Sequence, residues 1–159
     1  IAMGKVVELS LDGWNATVDL NLTGTFLCAA AAGKVMIGQK SGKVINISSV
    51  AGIKGSPNMA PYAASKAGVI ALTRTLALEW APHNIHVNCI APGLTATPGL
   101  KRAGWIPSRE KEDGTQIPSL LHPGDPERVA DLALFLASPA SDHLSGESIP
   151  IRGLIANDQ

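Results

Sequence analysis

Aromatic side chains are scarce in this chain of 159 residues, 4% of the total with Tyr62 the single tyrosine, so any core must be built from closely packed aliphatic and small side chains. Cysteine is nearly absent too. Cys28 and Cys89 are too few for a disulfide framework. Neither has the His or Cys neighbours at ligand spacing that a zinc site needs. One lies in an apolar helical stretch and the other in a strand-like one, so both are expected to be buried free thiols. An excess of either charge is also missing: 13 Lys and Arg balance 13 Asp and Glu, with no clustered basic stripe, which argues against a nucleic-acid partner. No continuous apolar run approaches the roughly 18 residues of a membrane helix. Residues Ile1 to Lys5 lack the charged and apolar regions of a signal peptide. The expectation is a cytoplasmic protein with no membrane partner.

What is present is Ala, Gly and Val, with 45% hydrophobic residues, enough for one ordinary core. Residues 10–32 read as a helix capped by Ser10, with Leu11, Trp14, Val18 and Leu22 at helical spacing. Asn21, Thr23 and Gly24 interrupt its propensity, which predicts a kink before the helix resumes from Phe26 to Ile37. Lys43 to Ile47 reads as a buried strand, and Ser48 to Asn58 as a loop. Residues 61–81 form the strongest helix, with Pro61 early and Pro82 stopping it. Ile85 to Ile90 is a second buried strand, ended by Pro92-Gly93. Residues 94–124 are irregular and proline-rich, the length of a functional loop. A helix from Pro126 to Ala137 and a short strand from Glu147 to Ile151 close the chain. This alternation predicts an α/β fold with a mostly parallel sheet, in one domain over residues 1–159.

Three features fall at one edge of that sheet. Ser48 and Ser49 stand just past the carboxy end of the first strand, where open parallel sheets bind ligands. Pro92, Gly93, Leu94, Thr95 and Thr97 follow the second strand and offer close backbone approach and hydroxyls. Tyr62 and Lys66 are four apart on a helix and so share a face. An ammonium beside a phenol favours the phenolate, and such a phenol can give or take a proton at an alcohol or carbonyl oxygen. Each feature alone is equally explained by a turn, a cap or a surface pair. His83 and His86 are three apart, but they lie in a turn without carboxylates and do not read as a metal site.

The segments Asn21-Leu22-Thr23-Gly24, Ile45 to Ser49, Tyr62 to Lys66, Val87 to Gly93 with Thr97, and Asp125 to Ala130 together resemble the short-chain dehydrogenase/reductase family, over nearly the whole chain. Ser49 precedes Tyr62 by 13 residues and follows Asn21 by 28, spacings similar to those of its short, single-domain, 3-oxoacyl-reductase-like branch. The resemblance implies a Rossmann-like doubly wound parallel sheet and an oxidoreductase that moves a hydride between NAD or NADP and a small alcohol or carbonyl substrate. It implies Tyr62 as general acid/base and Lys66 as the group that promotes its ionisation and holds the nicotinamide ribose. Ser49 would orient the substrate oxygen, and Asn21 would hold a water linking Lys66 to solvent. Tyr62, Lys66, Pro92, Gly93, Leu94, Thr95 and Thr97 would contact the cofactor. A homodimer or homotetramer is implied as well, packed through the helices at 10–37 and 61–81.

Neither G-x-G-x-x-G nor the looser G-x-x-x-G-x-G follows a strand here. The family's pyrophosphate turn is therefore absent, together with about four strands, roughly ninety residues on the scale of such domains. The chain is expected to be the carboxy-terminal part of a dehydrogenase, lacking the residue that selects NAD or NADP and leaving an unpaired edge at strand 43–47. Residues 94–124 are expected to cover the substrate. Leu94, Leu100, Trp105, Ile106, Ile117, Leu120 and Leu121 tilt that expectation toward an apolar or acyl-type substrate. Two other readings stand beside the redox one. A non-redox Ser-Tyr lyase of the same family would carry Arg where this chain has Lys66, and a non-catalytic oligomerisation fragment would need no chemistry. The Arg152-Gly153-Leu154 ending departs from the family's D-G-G.

Overall fold

The computed structural model describes residues 1–153. A 29-residue helical rod opens the fold: α1 (Leu11–Val18), one π-helical segment at Asp19–Thr23, and α2 (Gly24–Gln39). The Ser10 hydroxyl accepts from Gly13 N and caps α1. The interruption expected around Asn21 is the π segment, which inserts an extra residue into the helical ladder without ending the rod. Lys40 turns left-handed (φ 55°) and stops α2, two residues later than the composition predicts.

Three parallel strands follow: β1 (Gly42–Ile47), β2 (Ile85–Pro92) and β3 (Ser148–Ile151), in the spatial order β1-β2-β3. Gly42 pairs with Ile85 and Ile47 with Ile90, while Cys89 pairs with Ser148. Between β1 and β2 lie the short α3 (Ala51–Lys54) and the 21-residue α4 (Ala60–Trp80). The stretch expected to be a plain loop after Ser48 therefore contains a helical turn, closed by Gly52 N and Ile53 N donating to Ser49 O and Val50 O. The long segment after β2 holds α5 (Pro98–Arg102) and a 3-10 turn at Ser119–Leu121, and α6 (Pro126–Ala137) precedes β3.

The period-two pleat sorts β2 into two faces. Ile85 and Val87 cluster with Leu76, Ala77 and Trp80 of α4 and Ala29 of α2, and Cys89 clusters with Val69 and Ile70. On β1, Val44 and Asn46 face the same way; the Asn46 amide donates to Thr73 of α4 at 2.9 Å. Lys43, on the opposite pleat, reaches α6: its ammonium donates to Ser138 O, Ser141 Oγ and Asp142 Oδ1 at 2.6–3.0 Å. It thereby satisfies one carbonyl, Ser138 O, at the carboxy end of α6, where a cation is favoured.

Two expectations need correction. Cys28 is exposed, not buried, because it lines the open hollow between α2 and β1, whereas Cys89 is buried as expected. The rod Leu11–Gln39 is also long and apolar enough to cross a membrane by length and composition. Polar residues spaced along it hide this in a search for unbroken apolar runs. Only a small share of its apolar window is buried, with Leu20, Phe26, Leu27 and Val35 all exposed.

Candidate active site

The carboxy ends of β1 and β2 meet at the site. Ser48 N donates to Ile90 O and Val50 N to Pro92 O, which ties the chain leaving β1 to β2. Ser48 is buried and its hydroxyl donates to Lys66 O at 2.6 Å, locking α4 against the strand end. Ser49, the next residue, faces a cavity. Its hydroxyl accepts from Ala51 N at 3.1 Å and lies 3.5 Å from Pro92 O.

That cavity measures about 550 Å³ and brings together Ser49, Tyr62, Gly93, Leu94, Thr95 and Thr97. All six were singled out from the sequence, whereas Pro92, Asn21 and Lys66 do not line this cavity. Apolar walls come from Val50, Met59, Leu100 and Trp105. A hydroxyl cluster against apolar walls is the usual character of a small-molecule site. Thr97 is partly engaged already, because its hydroxyl accepts from Leu100 N at 3.4 Å as the cap of α5, and Thr95 donates to Gly93 O at 3.1 Å.

Lys66 stands behind Tyr62. Its Nζ is 5.8 Å from the phenol ring centroid and donates to Ile47 O at 2.9 Å. One of three ammonium protons is thus spent on the strand end, leaving two to meet other acceptors. Burial holds the Lys66 ammonium below the ordinary lysine value, since removing charge from water disfavours it. Asn21 and Lys66 line a second, more open hollow along β1, about 680 Å³ in volume, with Leu20, Ile45 and Ile47. The Asn21 amide is turned to Ser65, donating at 3.2 Å, and Ser65 donates to Tyr62 O at 2.8 Å. Asn21 is therefore tied to the Tyr62 turn of α4 through its backbone. The π segment frees the ladder locally, and Thr25 Oγ1 donates to Asn21 O at 2.7 Å. The four catalytic candidates fall into two hollows, each touched by α4: Ser49 and Tyr62 in one, Asn21 and Lys66 in the other.

The loop at 94–124 is anchored by a residue the sequence did not reveal. His122 is buried, and its ring nitrogens lie 3.0 Å from Pro107 O and 3.0 Å from Pro123 O. Its only sequence signal is its place among prolines, which does not show what a ring nitrogen will meet. Thr95 and Gly124 bridge in parallel across the loop's base, with Ala96 N donating to Gly124 O at 2.8 Å. Among the described residues no group of three or more His, Cys, Asp or Glu is placed to hold a metal.

The residues present suit the nicotinamide and ribose end of a dinucleotide. They offer hydroxyls and backbone at the cavity floor, with an ammonium behind them. Residues 2–153 match the family model described as Enoyl-(Acyl carrier protein) reductase, and the chain belongs to the short-chain dehydrogenase/reductase family. The 3-oxoacyl-[acyl-carrier-protein] reductase of Synechocystis sp. is 42% identical over 149 residues, covering 93% of this chain and 58% of that protein. The human (3R)-3-hydroxyacyl-CoA dehydrogenase is 40% identical over 149 residues, covering 93% and 56%. The crystal structure of a 3-oxoacyl-[acyl-carrier protein] reductase with bound NAD from Brucella melitensis superposes with a TM-score of 0.78 at 36% identity, over 97% of this chain and 56% of that one. The fold is thus of the Rossmann type. The chain spans under three fifths of the length of these relatives.

Proposed function

We propose that this chain carries the proton-transfer half of a nicotinamide-dependent oxidoreductase that interconverts an alcohol and a carbonyl compound. The observation that carries the reading is the convergence of Ser49, Tyr62 and the Gly93–Thr97 segment on one cavity, with the Lys66 ammonium behind the phenol. Pro92 to Thr97, Tyr62 and Lys66 would hold the nicotinamide end of NAD or NADP, which when bound would supply or accept a hydride. In the reducing direction the Ser49 hydroxyl hydrogen-bonds the carbonyl oxygen and fixes it beside Tyr62. The Tyr62 hydroxyl gives its proton to that oxygen as the carbon becomes tetrahedral. The Lys66 ammonium stabilises the negative charge left on the phenol oxygen. A water held near Asn21 in the hollow along β1 returns a proton through Lys66. Lysine at this position favours redox chemistry over elimination.

The loop at 94–124 forms the cover of the substrate cavity, and Leu100 and Trp105 favour a substrate with an apolar flank. The exposed apolar residues of the rod and the small residues of α4 suit packing against a second copy, in a homodimer or homotetramer of a cytoplasmic enzyme.

The test is turnover of a carbonyl panel followed by nicotinamide absorbance. Tyr62→Phe keeps the ring and removes the proton, and its rate should fall by about 10²–10⁴-fold. Turnover surviving in Tyr62→Phe would refute the assignment.

A further inference from the structure

Two adjacent serines leave the carboxy end of β1, and they turn opposite ways. Ser49 lines the cavity with Tyr62, whereas Ser48 is only 3% exposed and points into the protein. The Ser48 hydroxyl donates to Lys66 O at 2.6 Å. Its own amide donates to Ile90 O at 2.8 Å, so this donor is held by the sheet. The residue before it holds the other end of the same lysine: Ile47 O accepts from Lys66 Nζ at 2.9 Å. Lys66 is thus gripped at its backbone and at its ammonium by two consecutive residues of one strand end.

This grip falls outside the stretch of α4 that the core holds. The hydrophobic clusters that pack α4 on the sheet begin at Val69 and run to Trp80, and the buried Asn46–Thr73 hydrogen bond lies among them. Tyr62 and Lys66 sit in the turns before that stretch, and the amino end of α4 has no side-chain cap. Gly52 packs close to the Lys66 turn and Asn21 bonds to Ser65, but both belong to other helical segments; Ser48 ties the turn to the sheet. Attachment of α4 therefore does not need Ser48. Its hydroxyl fixes the height and rotation of the Lys66 turn against β1, and with them the ammonium 5.8 Å from the Tyr62 ring centroid. Lys66 O lies inside α4, where a carbonyl already accepts from the amide four residues on. Its second lone pair takes the Ser48 hydroxyl. Loss of that hydroxyl orphans no buried carbonyl, so the cost to folding is small, while the turn gains freedom to shift.

We propose that Ser48 is a positioning residue for the Tyr62–Lys66 pair: its hydroxyl sets the Lys66 turn where the ammonium acts on the phenol. Ser48 itself lines neither the cavity with Tyr62 nor the hollow along β1. Its effect on turnover rests on the redox reading; its effect on the pair does not.

Tyr62 is the single tyrosine, so its ionisation can be followed in the full chain by tyrosinate absorbance, with no turnover required. The native chain is titrated with alkali beside Ser48→Ala, Lys66→Met and the variant carrying both changes. In Ser48→Ala the ammonium drifts from the ring and the phenolate is less favoured, so the midpoint should rise above the native one by roughly half a pH unit. Ser48→Cys keeps the volume but donates weakly, and should follow Ser48→Ala. Lys66→Met removes the charge and should raise the midpoint further. The double variant should match Lys66→Met, because a residue that acts only through Lys66 then has nothing left to position. Equal midpoints in the native and Ser48→Ala chains overturn the proposal. So does a Ser48→Ala shift of the same size on the Lys66→Met background, which is what a general loosening of α4 would give. In carbonyl turnover Ser48→Ala should lower kcat about tenfold and leave KM within about twofold, and an unchanged kcat overturns the proposal as well. Midpoints that depend on Ser48 through Lys66, in a chain that turns over no carbonyl, retain the role of Ser48 in the pair and remove the redox reading.

Discussion

At the residue scale Lys66 is the group on which the proposed proton transfer depends, and that role asks two things of it. It must stay charged behind Tyr62, and it must sit half out of water against Ile47 O. Burial is the main cause of its lowered proton affinity, and this has a stability consequence with a definite sign. Its folded-state value lies below the ordinary 10.5, so between the two values the unfolded chain binds more protons than the folded one. Stability contributed at this position therefore rises as pH increases through that window. Arginine stays charged throughout, so Lys66→Arg keeps the penalty. Urea unfolding at a series of alkaline pH values should show wild type gaining on Lys66→Arg as pH approaches 10.5, and a pH-independent difference would contradict this account. Turnover should show the matching limb: in wild type it declines at alkaline pH as the ammonium discharges.

At the element scale the geometry depends on how tightly α3 lies on α4. A Cβ on Gly52 would stand 2.6 Å from the Lys66 carbonyl carbon and 2.7 Å from Ala67 N, and backbone atoms cannot swing aside. Gly52→Ala must push α3 away from the turn that carries Lys66, and overpacking of this kind costs about 1–3 kcal/mol. Ser49 flanks α3, so the same shift disturbs the Ser49–Tyr62 arrangement, and kcat should drop along with the unfolding midpoint. A variant that loses stability but keeps full kcat would show that α3 does not set the site. The loop after β2 is held by another device, the buried His122 ring between two proline carbonyls. Here His122→Ala would remove the buried ring and its hydrogen bond to a proline carbonyl, at about 1 kcal/mol for the bond and more for the space left behind. The expected readout is faster proteolytic cleavage within residues 94–124.

At the scale of the whole molecule, β1 is an edge of the sheet among the described residues. It pairs with β2 on one side, and the hollow along its other side is walled by β1 and α2. Strand backbone without a partner among the described residues, beside the exposed Leu20, invites association with another chain, as do Phe26, Leu27 and Val35, exposed elsewhere on the rod. Light scattering of the 159-residue chain after gel filtration should give a mass above the 16.4 kDa of one copy. A monodisperse species at that mass would show that the edge is tolerated in water.

Much of this was legible in the amino-acid order because it is local. The four-residue spacing of Tyr62 and Lys66, the β-branched run at 43–47 and the Pro-Gly stop after β2 act through backbone geometry within a few residues, so element order and the parallel sheet could be read before any contact was known. The interruption at Asn21 was legible for the same reason, though its form as a π segment was not. Other features depend on partners far along the chain. The Asn21 amide meets Ser65, 44 residues away, and Lys43 meets Asp142 across 99. Cys28 and Cys89 have similar apolar neighbours in the sequence but opposite exposure, since only packing selects which side of a helix or strand is covered. Local sterics and hydrophobic patterning set the elements; the crossing of those elements in space sets which side chains share a cavity, and the chemistry belongs to the cavity.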